Sequence, residues 1–335
     1  MDFEICYLLL VPLQPPTALG PTVSAPTPKD APYFFDLDIE FRAAGEGDML
    51  IERTPVHIRR QVLDDTVWLA ECRYRLPDAL GQTAVARKVA VQSALKQQLQ
   101  RESGYSGSLH EEYTILLIQE VNLAPGEFAD EHAAALARLL RSVTEPLNEV
   151  DTSDILAARA RYSENDLTIV DWVGGLIIAR HGDFQSDIEL MKIGNYQILR
   201  YRLLDRAIEH SLHTLRENLE SARQRWIPSS NRTLQAIVEQ RLSLLLDFEK
   251  IDQSLLLIGD WYSARVYRLI VEQFYLDDWK TTVSAKLDNL SAIDGIVREN
   301  LTFSWRRVLD TAQLIGWLLM LAGYYVLFYL DASAR

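Results

Sequence analysis

His210 and His213 stand three positions apart in a stretch whose apolar residues recur every three or four, with Glu209 and Glu217 close by. On a helix those offsets turn imidazole and carboxylate to one side, which is the arrangement a divalent metal needs. These two histidines are therefore the candidate metal ligands. The pattern His-Glu-x-x-His is absent, and a solvated face opposite a leucine seam accounts for the same residues. His57, His110, His132 and His181 show no convergent spacing. Gly174-Gly175 has no lysine in phosphate-loop spacing and no G-x-G-x-x-G around it. A serine elbow, G-x-S-x-G, is approached only at residues 103–108, where Ser108 replaces the second glycine, so the stretch reads as a loop. The acidic pairs Asp64-Asp65, Glu111-Glu112 and Asp277-Asp278 read as surface or capping residues. No catalytic residue and no cofactor emerges.

The elements that would position such groups fall into two textures. The chain has 335 residues, 48% of them apolar and 24% charged, the balance of a folded protein. Its net charge of -13 argues against non-specific nucleic-acid binding, which depends on lysine and arginine along phosphates. Most of the acidic excess lies in residues 1–182, with 27 acidic against 16 basic residues. The two cysteines, Cys6 and Cys72, cannot build a disulfide framework and sit in no metal-ligand spacing.

Residues 1–182 alternate strand and helix signals and predict an α+β cytosolic head. Alternation through Phe3, Ile5, Tyr7 and Leu9 predicts a buried strand, and Asp2 and Glu4 replace the basic start of a signal peptide. Residues 14–32 hold six of the twelve prolines and predict an extended connector. Strands are expected at 33–41, 67–76, 113–121, 155–163, 167–173 and 176–180, with a weaker one near 49–53. Helices are expected at 78–102 and from Pro125 to about residue 144.

From Asp183 the texture becomes helical. Tyr201, Leu204, Ile208, Leu212, Leu215, Leu219, Ala222 and Trp226 form one seam; Leu244, Phe248, Ile251, Leu255 and Ile258 form another, after a turn at 227–231. Residues 183–310 thus predict long antiparallel helices in a hairpin or stalk. A shorter helix follows at 261–274, and a last one runs from Trp279 to about residue 330.

Residues 311–330 carry no charge, and as a helix they would rise about 30 Å. Trp305 and Trp317 lie toward one end, with Tyr324, Tyr325 and Tyr329 toward the other. This predicts one C-terminal transmembrane helix. Arg298, Arg306 and Arg307 before it predict that the N-terminal bulk faces the cytoplasm, tail-anchored in the inner membrane. Ala312, Gly316 and Gly323 recur on one face as candidate membrane-packing positions, and Gln313 offers a hydrogen bond, so the lipid bilayer and further copies of the chain are the expected partners.

The run Ile258-Gly259-Asp260-Trp261-Tyr262-Ser263-Ala264-Arg265-Val266-Tyr267, with Phe274-Tyr275-Leu276-Asp277-Asp278-Trp279, Lys286-Leu287, Asp171-Trp172, Gly174-Gly175-Leu176, Leu199-Arg200-Tyr201 and Leu204-Asp205, resembles a family of bacterial tail-anchored membrane proteins of unassigned function. That resemblance implies an α+β head, a helical hairpin and one terminal span. The plan also resembles the "required for meiotic nuclear division" family and, in its acidic head and long stalk, the CorA-type cation channels. The Gly-Met-Asn signature and second span of the latter are missing; Ala322-Gly323-Tyr324-Tyr325 stands there instead.

The expected function is a non-enzymatic, oligomeric scaffold or interaction module whose protein partner is unknown. A CorA-like channel with one span per subunit and a membrane-tethered ligand sensor are the alternatives.

Overall fold

A computed structural model describes residues 1–14, 22–23, 39–119, 121–224, 242, 245–246, 248–249 and 261–333. Its centre is one nine-stranded mixed sheet in the order β2-β3-β4-β5-β1-β6-β9-β8-β7. The strands are β1 (Phe3–Pro12), β2 (Thr22–Val23), β3 (Phe41–Ile51), β4 (Thr54–Leu63), β5 (Val67–Leu76), β6 (Glu111–Ile118), β7 (Arg159–Ala160), β8 (Asp166–Val170) and β9 (Gly174–Ala179). Every pairing is antiparallel except β6 with β9, which the chain joins by a long crossover.

β1 is buried on both faces because it lies mid-sheet, between β5 and β6. One face packs under α1 (Ala84–Ser103), α2 (Pro125–Glu131), α3 (Ala133–Arg141) and α4 (Glu149–Ile155), where Tyr7, Leu9, Cys72, Tyr74, Leu95, Leu99 and Leu140 share one apolar core. Gly104 ends α1 in the left-handed region at φ 68°, a conformation that costs glycine nothing. Pro125 opens α2, and the Asn148 side chain accepts from the Asp151 amide to cap α4. The other face carries Glu71, Tyr113 and Thr168, whose partners lie on α5 (Gln185–Gln224), on α6 (Trp261–Gln273) and at Phe274 just after it. The last element, α7, runs from Leu276 to Ser333.

The chain divides into two compact units. The first comprises Met1–Leu203 and Phe248–Thr281 and holds the sheet; the second comprises Leu204–Asp247 and Thr282–Arg335. In the second, Leu204, Ile208, Val283 and Leu287 are buried. There Lys286 of α7 bridges Asp205 at 2.5 Å and Glu209 at 2.8 Å, both on α5.

Several expected boundaries move. Helix α1 starts at Ala84, not near 78, because Asp78 takes a left-handed turn at φ 50°. The helix expected from Pro125 breaks at His132 into α2 and α3. The strand expected at 155–163 shrinks to the two residues of β7, after α4 ends at Ile155. The proline-rich connector at 14–32, the strand at 33–41, the turn at 227–231 and the second helical seam at 244–258 lie largely outside the described residues.

The terminal span is the main correction. Among the described residues, no helix is long and apolar enough to cross a membrane. The expected transmembrane helix, the tail anchor, the inner-membrane placement and the orientation drawn from Arg298, Arg306 and Arg307 are withdrawn together. So is the CorA-like pore, which needed one span per subunit.

Candidate functional site

The densest polar chemistry lies on the α5 face of the sheet. Along β5 the side chains alternate, so that Trp68, Ala70, Cys72 and Tyr74 join the apolar core while Glu71 and Arg73 take the opposite side. The first turns of α5 answer with Gln185, Asp187, Glu189 and Lys192. Lys192 Nζ is fully buried, 2.5 Å from Glu71 Oε2 and 2.8 Å from Glu189 Oε1, and it donates to Gln61 Oε1 at 3.4 Å. Arg73 Nε donates to Glu71 Oε1 at 2.7 Å and its Nη2 to Gln185 Oε1 at 2.6 Å, while Gln185 Nε2 donates to Glu189.

Burial alone would raise the Glu71 carboxyl, but Lys192 and Arg73 outweigh it and bring it down to about 2. The same carboxylates, Glu189 and Glu71, outweigh burial at Lys192 and raise its amine. Both groups therefore keep their charges across the physiological range. Glu71 and Lys192 thus form a fixed electrostatic clasp.

A second cluster sits beside it. Thr168 Oγ1 donates to Asp187 Oδ2 at 2.6 Å and Tyr262 OH donates to the same oxygen at 3.0 Å, all three residues buried. Burial first, and then the Asp187 charge, push the Tyr262 phenol far up, so it stays protonated as a donor. Next to it Tyr162 stacks on Trp261 with ring centroids 6.0 Å apart.

A surface cavity of about 310 Å³ opens between the β7–β8 and β9–α5 turns, lined in part by Tyr162, Ser163, Asn165, Asp166, Arg180 and His181. Its buried carboxylate, Asp166, is committed to the turn, accepting from the amides of Tyr162 at 2.7 Å and Ser163 at 2.9 Å.

The third feature is Lys88 on α1. Its buried Nζ donates to the carbonyls of Leu139 at 2.6 Å and Leu140 at 3.4 Å and to Ser142 Oγ at 2.8 Å, closing the end of α3. Burial lowers this amine to about 7. Titration near neutrality would suit a nucleophile or base, but the amine is enclosed by the groups it caps.

The residues singled out in the sequence lie elsewhere. His210 and His213 are exposed on α5; His213 Nδ1 stands 3.5 Å from Glu217 Oε1. Among the described residues no three His, Cys, Asp or Glu side chains gather as metal ligands. Ala312, Gly316 and Gly323 lie exposed on α7, and a Cβ built on either glycine meets nothing within 4 Å.

The Gly174-Gly175 pair serves packing. A Cβ at Gly174 would lie 2.6 Å from the Thr114 carbonyl oxygen, and one at Gly175 would lie 2.9 Å from Met191 Cε. Of the acidic pairs, Asp64 accepts from Tyr196 OH at 2.6 Å, Glu111 pairs with Arg202, and Glu112 accepts from Tyr7 OH at 2.6 Å and Lys96 Nζ at 2.5 Å.

Two of the motif pieces meet in space. Asp171 closes the β8–β9 turn, accepting from Arg141 Nη2 at 2.7 Å and from the Val173 amide, and Trp172 rests against Phe274 and Tyr275 with centroids 6.1 and 5.8 Å away. Sequence reading missed Glu71–Lys192 and Thr168–Asp187–Tyr262. The available signal was charge in apolar context: Glu71 within VWLAECRYRL, and Asp187, Glu189 and Lys192 ahead of a leucine seam.

Comparison with known proteins gives a likeness without an activity. Residues 60–185, from β4 to the first residue of α5, match the family model described as "Uncharacterized protein MJ0711, N-terminal domain". The chain is 27% identical over 196 residues to "Uncharacterized protein MJ0711" of Methanocaldococcus jannaschii, covering 57% of this chain and 59% of that protein's length. No solved structure matches.

Proposed function

We propose that this chain is a non-enzymatic scaffold that assembles with further copies of itself through the C-terminal half of α7. The observation that carries this reading is the surface of that helix: Leu314, Trp317, Leu318 and Leu321 are 67%, 64%, 70% and 68% exposed. Large apolar side chains left contiguous on a surface mark an interaction site, because covering them removes unfavourable apolar hydration. The reading is supported from the other side by the polar clusters of the sheet-bearing unit. Glu71, Lys192, Asp187 and Lys88 each hold a packed element in place and present no acid–base pair to a substrate.

Sedimentation equilibrium of the full chain in aqueous buffer without detergent tests it. Self-association at micromolar concentration is expected, and a strictly monomeric chain rejects the reading.

A second reading, ligand sensing by the sheet-bearing unit, is favoured by the 310 Å³ cavity between the β7–β8 and β9–α5 turns. Thermal shifts across a panel of nucleotides and metal ions test it; a flat response removes it.

A further inference from the structure

Residues 311–326 of α7 contain no charged side chain. At about 100° per residue, Leu314, Leu318 and Leu321 form the middle of an apolar arc. Ile315, Leu319 and Val326 lie on one flank of it, and Trp317, Met320 and Tyr324 on the other. All nine are between 56% and 73% exposed. The arc spans about 260° of the circumference, whereas one packed helix covers a stripe of about 100°.

The nine side chains offer roughly 1,200 Å² of apolar surface, more than the ~800 Å² that each partner contributes to one stable interface. A two-fold pair would cover the middle and leave both flanks in water. With no charge on the surface, identical copies meet without like-charge repulsion, and an acidic or basic partner finds no countercharge.

We infer that α7 is flanked by two copies of itself at once, in a closed bundle of three or more chains, with Ile315 and Leu319 facing one neighbour and Met320 and Tyr324 the other. This rests on the self-association proposed above. The bundle is a ring of repeated contacts in which one flank of each helix meets the opposite flank of the next.

The test is the mass of the full chain by sedimentation equilibrium in aqueous buffer without detergent, for the parent and two flank variants, Leu319→Glu and Met320→Glu. A parent mass of three chains or more is expected, with either variant falling to two chains or one, because each breaks one side of every repeated contact. A parent that is a dimer, and whose mass neither variant changes, overturns the bundle and leaves self-association standing. A parent that is monomeric overturns both. Flotation with phosphatidylcholine vesicles as single, uncrosslinkable copies also overturns both, since lipid would then cover the arc.

Discussion

Lys192 of α5 and Glu71 of β5 meet at 2.5 Å with both side chains almost completely buried, 121 positions apart in the chain. A buried pair of this kind gains little over an apolar contact but costs heavily if half-broken, so it discriminates between correct and incorrect docking of α5. Arg73 donates to the other Glu71 oxygen, and Gln61 and Glu189 accept from Lys192, which ties the seating of the helix to the sheet.

Glu71 makes the fold acid-sensitive. Its carboxyl is held at about 2 against an ordinary 4.5, so its contribution is fully present above pH 4.5 and is lost as pH falls toward 2. Glu71→Gln should cost roughly 3 kcal/mol at pH 7 and far less at pH 2.5. Urea midpoints of both proteins across that range check it. Glu112, also held at about 2, titrates alongside in both proteins and cancels from the difference. A gap independent of pH would contradict the assignment.

Lys88 acts with the same sign in a higher pH window. Its amine titrates at about 7 in the fold and near 10.5 unfolded, so the unfolded chain binds the extra proton between those values and stability rises with pH. In Lys88→Met that rise is missing. Between pH 7 and 9 the free energy of the parent should gain about 2 kcal/mol on the variant. Parallel curves in chemical denaturation would show that Lys88 keeps its ordinary pKa.

The two glycines of β9 should respond unequally. Gly174→Ala drives a methyl to 2.6 Å from the Thr114 carbonyl oxygen, which is backbone and cannot rotate away. Gly175→Ala meets chiefly the flexible end of Met191, although the Ile169 carbonyl oxygen stands at 3.2 Å. Losses of about 3 kcal/mol and about 1 kcal/mol are expected in that order, measured by guanidinium unfolding.

Tyr262→Phe removes one of two hydroxyl donors to Asp187 Oδ2 and should cost about 1–3 kcal/mol, while Asp187→Ala leaves Thr168 and Tyr262 facing each other and should cost more. Thermal unfolding ranks the two. Equal losses would show that the carboxylate adds nothing beyond the hydroxyl pair.

Local signals wrote much of this fold into the sequence. The alternation of Phe3, Ile5 and Tyr7, and that of 67–76, appears as β1 and β5 because β-formers with a period of two have one low-cost conformation in a buried sheet. β4 was hidden: Pro55, His57, Arg59 and Arg60 give it the look of a loop, and it becomes a strand only because β3 and β5 supply hydrogen bonds on both sides. The polar clusters were illegible for a related reason. Nothing near Glu71 announces Lys192, and nothing near Asp187 announces Tyr262, because tertiary pairing is created by the docking of distant elements. The histidines and membrane-face glycines attracted notice through local spacing, and spacing alone says nothing about what a helix face meets. The uncharged run at 311–330 reads as a span by the same local logic, whereas among the described residues no helix is long and apolar enough to cross a membrane.

The central place of β1 ties folding to the order of translation. Its two hydrogen-bonded neighbours are encoded at Val67–Leu76 and Glu111–Ile118, so this greasy ribbon leaves the ribosome long before either flank exists. Until β6 emerges, β1 has at most one neighbour, and its other edge is a sticky surface for chaperones or for stray strands of nascent chains. A fusion or lesion that delays residues 111–118 would therefore expose the cell to aggregation from the opposite end of the head.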